Sequence, residues 1–226
     1  PDRLVTFSYA HVPWAFPRQK ALEQYGLPQG EVKSQMFESA RKVLCKAGYQ
    51  PIGLDHFVRE DDELSIALKN GQLHRNFQGY CTRRTTGQVY AFGVTGISQL
   101  GTAYIQNTKS IPKYIEKLEV GTLPVAKGYA LNKDEQITRE VIEMLMCNYT
   151  IRWAELAQRL SLSVEAIKQA TAYDEQRLQE FAQDGLITWD ADHIHMTSEG
   201  KLFVRNVAAS LDKLMLKTDK SFSKPV

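Results

Sequence analysis

Cysteine is scarce in this sequence. Cys45, Cys81 and Cys147 are the only three in 226 residues, and no CxxC or CxxxCxxC spacing joins them. Local spacing therefore builds neither a zinc knuckle nor an iron–sulfur site, and no metal ligands are assigned. Reduced thiols in a cytoplasmic protein are the expectation, with Cys81 of most interest because it borders the most polar stretch. Neither sign of charge is in excess: 28 Lys and Arg against 26 Asp and Glu leave +2. Bulk attraction to nucleic acid or a membrane surface needs a marked basic surplus, so no nucleic-acid partner is expected. No apolar run approaches the roughly 20 residues of a membrane span. No secretory signal is expected, and no internal repeat or low-complexity segment appears. An initiating methionine is absent too. The chain opens Pro1-Asp2 and enters a strand-like run at once, which suggests an excised piece whose missing part lies N-terminal.

What is there, at 43% hydrophobic residues, suffices for one large domain or two small ones. Leu4–Ala10 is a β-branched and aromatic run that predicts a strand. Val32, Met36, Ala40, Val43 and Ala47, widened by Phe37 and Leu44, recur at helical spacing, with Gly48 placed for a left-handed cap. YQPIGLDHF then predicts a second strand, parallel to the first across the helical crossover. A short helix ends at Gly71. QVYAFGVTGISQLG predicts a third strand, and a helix starts at Ser110 and Pro112 and closes at Gly121. A loop with Pro124 and Gly128 follows.

From Asn132 the pattern is mostly helical. Asn132 and Glu135 form a capping-box pair ahead of the stripe Ile137, Val141, Ile142 and Leu145. IRWAELAQRLSLS and VEAIKQATAYDEQRLQEFAQDG predict two more helices, LITWDADHIHMT a hairpin around 190–192, and Ser198 the cap of a helix running to Lys217. Three helices, a β-wing and a closing helix make a winged-helix arrangement. The expected class is α/β, with residues 1–128 the α/β portion, 129–217 a mainly helical winged-helix-like domain and 218–226 a tail.

Polar residues gather where strands are expected to end. Tyr9 and His11 follow the first, Asp55 and His56 the second, and Gly93–Ser98 close the third; such ends collect ligands in parallel α/β folds. Between them lies HRNFQGY, residues 74–80, whose apolar positions follow no regular period. Arg75 suits a carboxylate through its planar fork. Asn76 and Gln78 donate and accept, Phe77 and Tyr80 offer faces to a flat ring, and Gly96 would let the backbone approach a ligand. His193 and His195 alternate on one face of the wing, which reads as an exposed face. The helix beginning at Val164 is too acidic to suggest a winged-helix regulator that reads DNA.

DRLVTFSYAHVP, GYQPIGLDHFVREDDEL, LHRNFQGYCT and GVTGISQLG with YIQN resemble the C-terminal half of oxygen-independent coproporphyrinogen III oxidases, a radical S-adenosylmethionine family of haem biosynthesis. The resemblance runs from the first residue to about Ala209. Cys81-Thr82 after the tyrosine favours the oxidase over the related haem-chaperone branch, which stands as the alternative: a tetrapyrrole-binding module without decarboxylase activity. The resemblance implies an incomplete (β/α) barrel, of which this chain is the C-terminal part, with the winged-helix-like domain covering its mouth. It implies S-adenosylmethionine and a 4Fe-4S cluster in the intact enzyme, an electron donor of unknown identity, and oxidative decarboxylation of two propionates of coproporphyrinogen III. By matched motif, Ala10, Gln78 and Ile97 correspond to S-adenosylmethionine-binding positions, Ala10 and Ile97 through their backbone. Tyr9, His11, Asp55, His56, Arg75 and Asn76 sit in matching motifs and are candidate substrate contacts. The cluster loop is not among these residues, so this chain alone is expected to hold no cluster, to be inactive, and to self-associate through an exposed sheet edge.

Overall fold

The computed structural model describes residues 1–77, 79–82 and 88–217. Packing divides them into two compact units that meet in sequence between Lys69 and Asn70, and each is described by itself. Among the described residues no helix is long and apolar enough to cross a membrane.

The first unit is a three-stranded sheet with two helices. Its elements are β1 (Arg3–Val5), α1 (Gly30–Lys46), β2 (Tyr49–Ile52), β3 (His56–Arg59) and α2 (Glu63–Lys69). A nine-residue 3-10 segment, Pro17–Tyr25, precedes α1. The sheet order is β1-β3-β2, and β3 is antiparallel to both neighbours. Strands β1 and β2 therefore run in the same direction, as a crossover through α1 requires, but they do not pair. The expected single strand YQPIGLDHF folds back on itself as a hairpin, and its return strand inserts between the other two. Gly53 at φ 61° provides the reversal that a straight strand lacks. Strand β1 is also shorter than expected. After Thr6 N–H donates to Asp55 C=O at 2.7 Å, the chain leaves the sheet.

Ile52, Phe57, Val58 and Leu64 form the core of this unit. Helix α1 buries none of its residues fully. Phe37, Ala40 and Leu44 are half-buried, whereas Val32, Met36 and Val43 of the expected stripe are exposed. The stripe is wider than the surface a three-stranded sheet offers. Gly48 caps α1 at φ 85°, donating to Cys45 C=O, as expected.

The second unit begins with the hairpin β4 (Leu73–Asn76) and β5 (Gly79–Thr82). The sheet β6 (Ile97–Gln99), β7 (Ala103–Asn107) and β8 (Val125–Ala130) follows, with α3 (Ile111–Glu119) between its last two strands. All pairing in this sheet is antiparallel, in the order β6-β7-β8. Two expectations are corrected here. QVYAFGVTGISQLG is not one strand: Val89 bridges back to Gln99, because Gly93 (φ 88°) and Thr95 (φ 64°) reverse the chain between them. The expected loop with Pro124 and Gly128 is strand β8. Ser110 caps α3 and Gly121 ends it, as read from the sequence.

The rest of the unit is α4 (Lys133–Asn148), β9 (Thr150–Arg152), α5 (Trp153–Leu160), α6 (Val164–Ala170), α7 (Glu175–Gln183), β10 (Ile187–Trp189), β11 (His193–Met196) and α8 (Val204–Ser210). The capping box of Asn132 and Glu135 forms in full. Sheet order β10-β11-β9 with three helices between β9 and β10 is the winged-helix pattern. The predicted helix from Val164 breaks at Thr171–Asp174, where Asp174 Oδ1 accepts from the N–H groups of Gln176 and Arg177 and starts α7 anew. The final helix is likewise interrupted. Two 3-10 turns, Gly200–Phe203 and Met215–Lys217, flank α8, and Thr197 rather than Ser198 makes the cap, accepting from Gly200 N–H at 2.9 Å. Leu73, Val141, Leu145, Ile151, Trp153, Leu156, Ile167 and Ile194 are buried at the centre of this unit.

Gly200 is buried where a Cβ would stand 1.8 Å from the Leu186 carbonyl oxygen. Backbone cannot yield as a flexible side chain would. Gly200→Ala is expected to cost about 3 kcal/mol or more, measured as a fall in thermal midpoint and in the denaturant midpoint.

Candidate functional site

In the first unit, the register Val5–His56–Ile52 places His56 beside the last residues of the two co-directional strands. The Asp55 carboxylate accepts from His56 Nδ1 at 2.6 Å, and both side chains are mostly covered. Past β1 the chain carries Tyr9, Ala10 and His11. The Tyr9 and His11 rings lie 5.9 Å apart at 47°. His11 Nε2 meets Glu23 Oε1 at 2.9 Å, while its Nδ1 is buried without a hydrogen-bond partner. Gln19 fixes the backbone here: its Oε1 accepts from Val12 N–H at 2.7 Å and its Nε2 donates to Ala10 C=O at 3.2 Å. Sequence reading assigned no role to Gln19 or Glu23. Both belong to the 3-10 segment, whose short period gives no amphipathic signal.

In the second unit, HRNFQGY is a β-hairpin rather than an aperiodic segment. Arg75 pairs with Tyr80 and Asn76 with Gly79. Gln78 itself lies outside the described residues. The apolar positions fail to alternate because one face meets polar groups of α4 instead of an apolar core. His74 Nδ1 and Glu143 Oε1 are 2.6 Å apart. Asn76 Nδ2 lies 3.6 Å from Cys81 Sγ, and the Arg75 guanidinium covers the Tyr80 ring at 5.5 Å.

A cleft of about 110 Å³ opens among these residues, bounded by His74, Arg75, Asn76, Cys81, Arg139 and Glu143. Arg139 donates to the carbonyls of Leu100 and Gly101 at 3.1 and 2.8 Å, joining α4 to the turn between β6 and β7. Burial lifts the Tyr104 phenol above its ordinary value; Arg139 opposes this, and Glu143 and Glu140 add to it. The Phe77 ring stands edge-on to Tyr104 at 5.5 Å.

Ile97 opens β6 opposite Gln106. Gly93–Ser98 therefore do not close a parallel strand but turn into an antiparallel one. The missing Cβ of Gly96 leaves room for the chain's own loop: a Cβ there would meet Ala91 Cβ at 3.1 Å and the Phe92 and Gly93 carbonyls at 3.2 Å. His193 and His195 share the exposed face of β11, with Asp190 Oδ1 3.3 Å from His193 Nδ1. No group of three or more His, Cys, Asp or Glu able to hold a metal ion occurs among the described residues.

This arrangement, an α/β portion followed by a winged-helix-like set, has known relatives. Residues 131–203 match the family model of the HemN C-terminal domain. The chain is 36% identical over 224 residues to the oxygen-independent coproporphyrinogen III oxidase of Helicobacter pylori strain 26695, covering 99% of this chain and 48% of that protein. The Escherichia coli K12 oxidase is 37% identical over 212 residues, 94% of this chain and 46% of that protein. The solved structure of coproporphyrinogen III oxidase (HemN) from Escherichia coli, a radical SAM enzyme, superposes with a TM-score of 0.86 at 36% identity, over 95% of this chain and 48% of that one. The resemblance read from the four motifs thus holds along nearly the whole chain, and so does the α/β class. The chain spans about half the length of the curated relatives it matches.

Tyr104 gives a titration test. A folded-state value raised above 10.0 means that its contribution to stability is complete below the unfolded value and is lost as pH rises through the folded one. The difference between wild-type and Tyr104→Phe absorbance titrations at the phenolate band is expected to isolate one tyrosine ionising above the ordinary range.

Proposed function

We propose that this chain is the C-terminal part of an oxygen-independent coproporphyrinogen III oxidase, the enzyme that oxidatively decarboxylates two propionates of coproporphyrinogen III to vinyl groups. The observation that carries the reading is joint likeness in sequence and fold, 36% identity with a TM-score of 0.86, to a radical SAM coproporphyrinogen III oxidase. In this reading residues 1–128 contribute to an incomplete (β/α) barrel, 129–217 form a cover that keeps water from the reacting groups, and 218–226 are a tail.

The 4Fe-4S cluster does not fit the cysteines present. Cys45 is exposed, Cys147 is buried and Cys81 is half-buried, and none lies within four residues of another. No step is assigned to these cysteines; the intact enzyme would bind its cluster elsewhere. S-adenosylmethionine fits better. A buried imidazole nitrogen without a partner stands on His11, next to Ala10, whose carbonyl Gln19 already holds in place. The motifs they match, rather than a shared pocket, assign Ala10 and Ile97, each by backbone, and Gln78 to that cofactor, which would supply one-electron chemistry when reduced. The substrate carries four carboxylates. Arg75 and Asn76 in the second unit, and Tyr9, His11, Asp55 and His56 in the first, would bind and orient them by charge-assisted hydrogen bonds. Strands β1 and β2 are the edges of their sheet among the described residues, and such edges would favour self-association of the isolated chain.

The test is anaerobic turnover by the complete polypeptide encoded around this chain, with a reductant and S-adenosylmethionine, and chromatography of the oxidised porphyrins. Protoporphyrin is expected to appear, and Arg75→Ala is expected to lower kcat/KM by roughly 10- to 100-fold through loss of a charge-assisted carboxylate contact. Stable binding of haem with no decarboxylation would instead support a tetrapyrrole-binding module.

A further inference from the structure

Helix α4 holds the hairpin that carries Arg75 and Asn76. Leu73 is fully buried at the start of β4. Its N–H donates to Asn148 Oδ1 at 3.1 Å, and its C=O accepts from Asn148 Nδ2 at 3.1 Å. The asparagine amide therefore pairs with β4 as a neighbouring strand would. One residue on, His74 Nδ1–H donates to Glu143 Oε1 at 2.6 Å, with only 15% and 16% of the two side chains exposed. A lone two-stranded hairpin is marginal in water and needs support from another element. Here that support is polar and directional, so it fixes position as well as proximity.

We propose that α4 sets the position of the ligand-bearing residues of this hairpin, with Asn148 and Glu143 as positioning residues for the carboxylated substrate that Arg75 and Asn76 hold. The inference rests on the function proposed above. It gives the segment matching the HemN C-terminal domain a second task. That segment begins at residue 131 and includes all of α4, so a shift of α4 moves β4 directly. Asn148 makes both bonds to Leu73, so it governs where along α4 the strand sits. Glu143 accepts from His74 Nδ1 and thereby holds the imidazole in the tautomer protonated there.

The experiment uses the complete polypeptide and three variants: Asn148→Asp, which keeps the acceptor for Leu73 N–H but loses the donor; Glu143→Ala; and Glu143→Gln, which keeps the acceptor for His74. Amide hydrogen exchange in the hairpin and anaerobic kinetics with coproporphyrinogen III are measured on each. In Asn148→Asp and Glu143→Ala, hairpin amides are expected to exchange about tenfold faster while those of the wing sheet are unmoved. KM for the porphyrinogen is expected to rise about tenfold with a smaller change in kcat. Glu143→Gln is expected to restore most of the hairpin protection. Glu143→Ala serves if Asn148→Asp fails to fold. Unchanged hairpin exchange, or faster exchange with an unmoved KM, would overturn the inference while leaving the functional reading intact. No turnover by the wild-type polypeptide would overturn that reading and this inference with it.

Discussion

Helix α4 is the element on which the second unit depends, and its packing on both sides is the constraint the rest obeys. Val141 and Leu145, fully buried, face the winged-helix core, where α6, α8 and β9 pack against the helix. Arg139 and Glu143, four residues apart and so on one face, look instead to the cleft. Arg139 fixes the turn between β6 and β7, and Glu143 fixes His74. One helix thus faces an apolar core and a polar cleft. Burial alone could not register the hairpin against it, because apolar contact is non-directional. The hydrogen bonds to Leu73 and His74 supply the direction.

What could be read in the sequence was local. The capping box at Asn132, the caps at Gly48 and Ser110, and the hairpin around 190–192 each involve residues a few positions apart, and all are present. Strand lengths and pairings were harder. YQPIGLDHF reads as one strand because its apolar content is continuous, yet Gly53 turns it back. QVYAFGVTGISQLG reads as one strand because nothing local shows that Val89 will pair with Gln99 rather than with another segment. The helix beginning at Val164 was read too long because Asp174 looks like one more charged surface residue until its carboxylate is seen accepting from two backbone N–H groups.

The site was legible to the same degree. HRNFQGY was singled out by its chemistry, and its residues do border a polar cleft. Its partners were not visible. Glu143 lies 69 residues from His74 and Asn148 lies 75 from Leu73, and no spacing rule joins them. The i, i+4 pair Arg139 and Glu143 beside an apolar stripe was the one available signal, and such pairs are common on exposed helix faces. Gln19 and Glu23 were hidden for another reason: they shape the Ala10–Val12 backbone from a 3-10 segment with no periodicity to read. Gly96 adds a use that the sequence alone does not show: the fold passes its own loop where a Cβ would stand.

In the proposed function this chain is the back half of a longer radical enzyme: its three cysteines lack the spacing of a cluster site, and it spans about half the length of the relatives it matches. The measurement that tests this most directly is the coding sequence upstream of Pro1. An in-frame CxxxCxxC motif followed by a glycine-rich strand is the result predicted. A start codon immediately before Pro1, with no such motif upstream, would contradict it.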